Sequence, residues 1–208
     1  MNGRDDWYRN TDWNESIATA FAEKLKRARD KEQYLCIQAS CLARNHPDVA
    51  ITLLDQYFQL PDKFDHATAH TTRAEALLAL GKVEEAVASY QAALKREAEF
   101  PKLRTLAYVQ YPYLVAVRCL SAHYADALEV LAHRKNDLLF PVDHFMWHAA
   151  RAMIRAAQGF PQDAREDARV ALEAAGQDHS GFRFHPKLGL VSDRHAEALH
   201  RLRAFHDA

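Results

Sequence analysis

The sequence predicts an all-α protein: about four helix–turn–helix hairpins, preceded by one N-terminal helix and closed by a C-terminal capping helix. Three observations carry this. Apolar residues recur at steps of three and four along most of the chain, the mark of helices with one buried face. Glycine and proline, only six and seven in 208 residues, fall between those segments rather than inside most of them. The chain also repeats itself at an offset of 78: Asp65, His66, His70, Arg73, Ala74, Ala79, Gly81, Ala86, Ala93 and Leu94 recur as Asp143, His144, His148, Arg151, Ala152, Ala157, Gly159, Ala164, Ala171 and Leu172.

In chain order, Asp12 and Glu15 have capping-box spacing and predict a helix over 12–30 that buries Trp13, Ile17, Phe21 and Leu25. The cations Lys24, Lys26, Arg27, Arg29 and Lys31 at its far end suit a helix C-terminus and read as a solvated face. Hairpin repeats are expected over 31–175. The first runs from Lys31 to Phe58, with Pro47 opening its second helix and Val49, Ala50, Leu53, Leu54 and Tyr57 on the buried side. The second spans Ala67–Leu94 and turns at Gly81, which tolerates the left-handed conformation of a helix C-terminus. A third covers Lys102–Ala132, its first helix expected to be kinked or divided at Pro112. The fourth covers His144–Ala174 and turns at Gly159–Pro161. Residues 176–191 have no period and read as a long loop, and 192–206 as the capping helix, started by Ser192. All of this is expected to form a single domain.

The second hairpin resembles a tetratricopeptide (TPR) repeat, as found in small bacterial TPR proteins. The alanine, large aromatic and second alanine of that family fall on Ala86, Tyr90 and Ala93, and its turn glycine on Gly81. The first helix departs from the family, with His70, Arg73, Ala74 and Leu77 where tryptophan, leucine, glycine and tyrosine are usual. The resemblance implies an α-solenoid whose first helices line a concave groove for a partner protein or peptide. The matching alanines Ala50, Ala86, Ala127 and Ala164 lie 36, 41 and 37 residues apart, against ~34 in the family. Some TPR proteins clamp a C-terminal carboxylate with lysine and asparagine. The corresponding places here hold Leu35 and Ala39, Thr71 and Glu75, Pro112 and Ala116, so that clamp is absent.

Net charge is −1, which gives no bulk attraction to nucleic acid or to an anionic membrane. No apolar run approaches the ~20 residues of a membrane span. The N-terminal MNGRDDWYRNTDW has no apolar core of a signal peptide. Cys36, Cys41 and Cys119 are odd in number and read as small buried side chains of a cytoplasmic protein.

His66, His70 and Arg73 share one helix face, and His144, His148 and Arg151 repeat the arrangement, with Arg155 one turn on. Histidines four apart can hold zinc or nickel when other ligands complete the site, but no HExxH and no cysteine pair with ligand spacing is present. The bland expectation is an interhelix seam in which Asp65 and Asp143 satisfy the histidines. The alternative is ligand contact: Arg73, Arg118, Arg151 and Arg155 could form a basic track, suited to carboxylate or phosphate. Phe182, Arg183 and Phe184, in the long loop, carry side chains that recognise partners, although their aromatics could simply plug a gap beside the capping helix. GxSxG, GxxxxGK and GxGxxG are all missing.

The expected function is therefore non-catalytic binding of a partner protein, as an adaptor, through Arg73, Arg118, His148, Arg151, Arg155, Phe182, Arg183 and Phe184. No cofactor or metal, nucleic acid or membrane is expected to take part. The TPR resemblance adds a runner-up, an immunity protein that neutralises a bacterial toxin by direct binding. A metal-dependent enzyme using the histidine stripes ranks last.

Overall fold

The computed structural model describes residues 6–61 and 66–206, and among them it is all-helical, with ten α-helices and no strand. The contacts divide the chain into two compact units, Met1–Ala107 and Tyr108–Ala208. The first holds α1 (Glu15–Arg27), α2 (Lys31–Leu42), α3 (Pro47–Phe58), α4 (His66–Ala79) and α5 (Val83–Glu99). The second holds α6 (Ala107–Val117, which starts at the boundary), α7 (Tyr124–His133), α8 (Pro141–Ala157), α9 (Pro161–Ala175) and α10 (Ala196–His206).

In the first unit, α1 is capped by Asn14 rather than by Asp12. The Asn14 side chain accepts from the Ile17 N–H at 3.0 Å, while Asp12 accepts from Trp13 N–H and pairs with His46. Asn14 wins because its carboxamide lies one turn below the first free N–H groups, the position a cap requires. Phe21 is the buried residue of α1, with the Trp7 and Trp13 rings against it. Gln38, fully buried on α2, anchors the N-terminal segment through three bonds to Asn10, which satisfy its side-chain amide. The helices pack in neighbouring pairs, α2 on α3 and α4 on α5. Ala74 and Ala76 of α4 and Ala86 and Ala93 of α5 have no exposed surface, so the α4 and α5 backbones come close, and Tyr90 fills the remaining space.

Three first helices end in the same backbone motif. After α4, Lys82 N–H reaches Leu77 C=O at 2.9 Å and Gly81 N–H reaches Leu78 C=O at 3.0 Å, with Gly81 at φ 74°. After α8 the same two bonds form around Gly159 at φ 83°. After α6 they form around Cys119 at φ 54°, with Leu120 N–H on Val115 C=O and Cys119 N–H on Ala116 C=O. This is the Schellman closure, which satisfies the last carbonyls of a helix and reverses the chain. Cys119 is thus not a buried filler; it is exposed, and it stands where the other two hairpins have glycine. Cys41 is half-buried, and only Cys36 of the three is buried.

Pro112 does not divide its helix: α6 runs unbroken from Ala107 to Val117. Proline forfeits one backbone bond, at a cost of ~3 kcal/mol or more in a helix interior. Around it Val109, Tyr111 and Val115 are fully buried, and the Tyr111 hydroxyl donates to Asp126 of α7 at 2.5 Å. Packing offsets the lost bond.

Helix α8 is the core of the second unit. Phe145, Trp147 and Ile154 are at most 2% exposed, and Trp147 Nε1–H donates to Leu131 C=O at 3.1 Å. It packs on α9 through Ala164, Ala168 and Ala171, and α10 covers both helices with Ala198 and Leu202. The Arg201 guanidinium donates to Val117 C=O at 3.0 Å, fastening α10 to the end of α6. His195 is buried against Tyr113 and Phe145, and loss of hydration lowers its pKa to about 4.

A non-glycine residue in the left-handed region costs about 1–2 kcal/mol. Cys119→Gly is therefore expected to stabilise the protein by about 0.5–1 kcal/mol, and Gly159→Ala to destabilise it by at least about 1 kcal/mol. Urea unfolding of both variants measures this; the opposite sign at either position would contradict the shared closure.

Candidate functional site

The 78-residue repeat places α3–α4–α5 and α7–α8–α9 in correspondence, and with them the two histidine–arginine pairs. In the second unit the pair closes on one carboxylate. His148 Nδ1 lies 2.8 Å from Asp167 Oδ1, and Arg151 Nε lies 3.4 Å from Asp167 Oδ2. An ionised carboxylate only accepts, so His148 carries its proton on Nδ1. Asp167 is 5% exposed, and these two donors satisfy a charge that α9 carries into the interior.

Beside this triad a groove of about 330 Å³ runs between α7 and α8, lined by Leu128, Ala132, Lys135, Trp147, Arg151 and Arg155. The Arg151 guanidinium sits 4.8 Å from the Trp147 ring centre, and the Lys135 ammonium 5.9 Å from it. Arg155 lies over the exposed Phe160 and bonds the Gln158 side-chain carbonyl at 3.3 Å; among the described residues its Nε has no hydrogen-bond partner. Three cations thus border one groove; among the described contacts one of them, Arg151, meets a carboxylate, Asp167, which is shared with His148. The surplus is positive.

The first unit arranges the same pair differently. Arg73 Nη1 donates to Asp55 of α3 at 2.8 Å, and the His70 ring stacks on Phe58 with centres 4.7 Å apart. Lost hydration, then the nearby His66, Arg73 and Arg96, lower the His70 pKa to about 4. A groove of about 650 Å³ opens here, lined by residues that include Asp55, Phe58, His70, Arg73 and Ser89.

The other expected site residues lie elsewhere. Arg118 is exposed just past the end of α6 and does not line the α7–α8 groove. Phe182 leans on Phe140 with ring centres 5.2 Å apart, while Phe184 is 79% exposed with the Arg183 guanidinium over its ring. Phe184 therefore plugs no gap, while Phe182 packs on the residue before α8. Ser180 holds the loop closed on itself, accepting from Phe182 N–H and donating to His185 C=O, so the ring of Phe184 is held outward. Asp143 does not serve the histidines either: its carboxylate accepts from the Leu139 and Phe140 N–H groups at the start of α8. Its counterpart Asp65 lies outside the described residues.

Sequence reasoning missed Lys135, Trp147, Asp55 and Asp167. Asp167 could have been found, since it stands 19 residues after His148 on the inner face of the next helix. Lys135 and Asp55 come from other helices or turns and carried no local signal.

Among the described residues, no group of three or more His, Cys, Asp or Glu is placed to hold a metal ion, and no helix is long and apolar enough to cross a membrane. Comparison with protein-family models, with curated proteins and with solved structures found no match to this chain.

Removing the acceptor strands two donors. Asp167→Ala is expected to cost about 1–3 kcal/mol, the penalty for leaving buried donors unsatisfied. A change below about 0.5 kcal/mol in urea unfolding would show that the triad is not a structural unit.

Proposed function

We propose that the protein is a non-catalytic binding module that takes an acidic segment of a partner protein into the α7–α8 groove. The observation that carries this is the convergence of Lys135, Arg151 and Arg155 on one groove, the first two over the buried Trp147 ring. A guanidinium presents paired donors to a carboxylate, which suits it to an acidic segment. Arg155 is the strongest anchor, because its intramolecular partner is a neutral amide rather than a carboxylate.

The reading of the hairpins as TPR-like, and of the chain as a repeat protein, belongs to this proposal. Its support is the burial of Ala86, Tyr90 and Ala93 and the left-handed turn at Gly81, which match the features that the resemblance rests on. A cytoplasmic setting is likewise proposed, with Cys36, Cys41 and Cys119 all free.

Selection of random peptides on the immobilised protein is the test. It should enrich Asp- and Glu-containing segments, and Arg151→Glu combined with Arg155→Glu should weaken the selected peptide at least tenfold, about 1.4 kcal/mol. Because Arg151 also serves Asp167, Lys135→Glu with Arg155→Glu provides a second variant whose circular dichroism should match the wild type. Enrichment of neutral or basic segments, or undiminished binding by both variants, would place the interface elsewhere.

A further inference from the structure

The internal repeat supplies its own comparison for the groove of the first unit. At the offset of 78, Glu166, Asp167 and Val170 of α9 correspond to Ala88, Ser89 and Ala92 of α5. The histidine and arginine are kept as His70 and Arg73, but the carboxylate that joins their counterparts is gone. The Ser89 hydroxyl cannot replace it, being turned to Glu85 C=O of its own helix at 2.9 Å. All three small residues line the open groove, together with His70 and Arg73. Asp167, which joins the pair in the second unit, is thus replaced by a small residue in the first, and His70 and Arg73 face a groove of about 650 Å³, within the range of pockets that bind ligands.

We infer that this groove accepts an Asp or Glu side chain of a partner protein, whose carboxylate takes the place between His70 and Arg73 that Asp167 holds in the other unit. Asp55 lines the groove and pairs with Arg73 from α3, but it is more than half exposed and, among the described contacts, makes no bond to His70. Desolvation first, then the charges of His66, Arg73 and Arg96, hold the His70 ring neutral. Arg73 and Arg96 are themselves paired with Asp55 and Glu99, so the incoming carboxylate has to share Arg73 with Asp55. The groove exceeds what one carboxylate needs, which leaves room for the neighbouring backbone of the segment that carries it. This site shares no residue with the α7–α8 groove, and it stands or falls separately from the function proposed there.

The decisive variant restores the carboxylate from within. Ser89→Asp should raise the thermal midpoint by about 2–4 °C, Ser89→Asn should not, and the gain should vanish when His70→Ala is added. Equal effects of Asp and Asn, or a gain that survives without His70, would overturn the inference. Wild-type protein gives a second reading that needs no variant to fold. Acetyl-aspartate amide should shift the ring resonances of His70 saturably, with a millimolar Kd, while acetyl-asparagine amide should not. No shift with either would overturn the inference; micromolar binding of the free derivative would overturn the partner assignment and give the groove to a small acid.

Discussion

Three of the hairpins depend on one backbone constraint: the residue that follows the first helix turns left-handed. Its N–H and the next one then reach back to the last carbonyls and send the chain into the returning helix, whereas the α2–α3 turn is made with Ala43 still right-handed and Pro47 opening the next helix. Gly81, Cys119 and Gly159 occupy the left-handed position, 38 and 40 residues apart. Alanines on the returning helix follow from it, since a short reversal brings two backbones together along their whole length. Ala86 and Ala164 are almost completely buried for that reason. Cysteine at the middle position shows that the closure, and not glycine as such, is what these three turns share.

On this scaffold the two units treat the same histidine–arginine pair in opposite ways. One seals it with the buried Asp167 of α9. The other has the small Ser89 at that place and opens a groove. A buried charge pair is seldom a net source of stability, because desolvation takes back most of the Coulombic gain. The first unit keeps a carboxylate on Arg73, Asp55 of α3, but among the described contacts none on His70, and that difference is what the proposed recognition role uses.

Much of the fold was legible in the sequence, because helix period, proline starts and glycine turns are local signals. The ten helices fall close to where those signals put them, and the repeat at 78 picked out the hairpins that correspond. Where local reading failed, a non-local contact decided. Pro112 stays inside α6 because Tyr111 and Val115 are buried by residues distant in sequence. Cys119 reads as a small core residue until its φ of 54° is known. For the site, the arginines and His148 were visible as a stripe on one face, but their charge balance was not. It depends on Asp167 and Asp55, which belong to neighbouring helices. The loop carrying Phe182 and Phe184 was legible only as aperiodic, whereas the outward set of Phe184 comes from the closed loop around Ser180.

Nitrogen-15 spectra of the histidine rings test the central claim most directly, that one pair is sealed by a carboxylate and the other is open. His148 should show a proton on Nδ1, hydrogen-bonded to Asp167, in the neutral protein. His70 should show no such bond, and its ring should stay neutral until the pH falls to about 4. If both rings instead give the same hydrogen-bonded Nδ1 signal, the first unit has an internal acceptor for His70, and the open site does not exist.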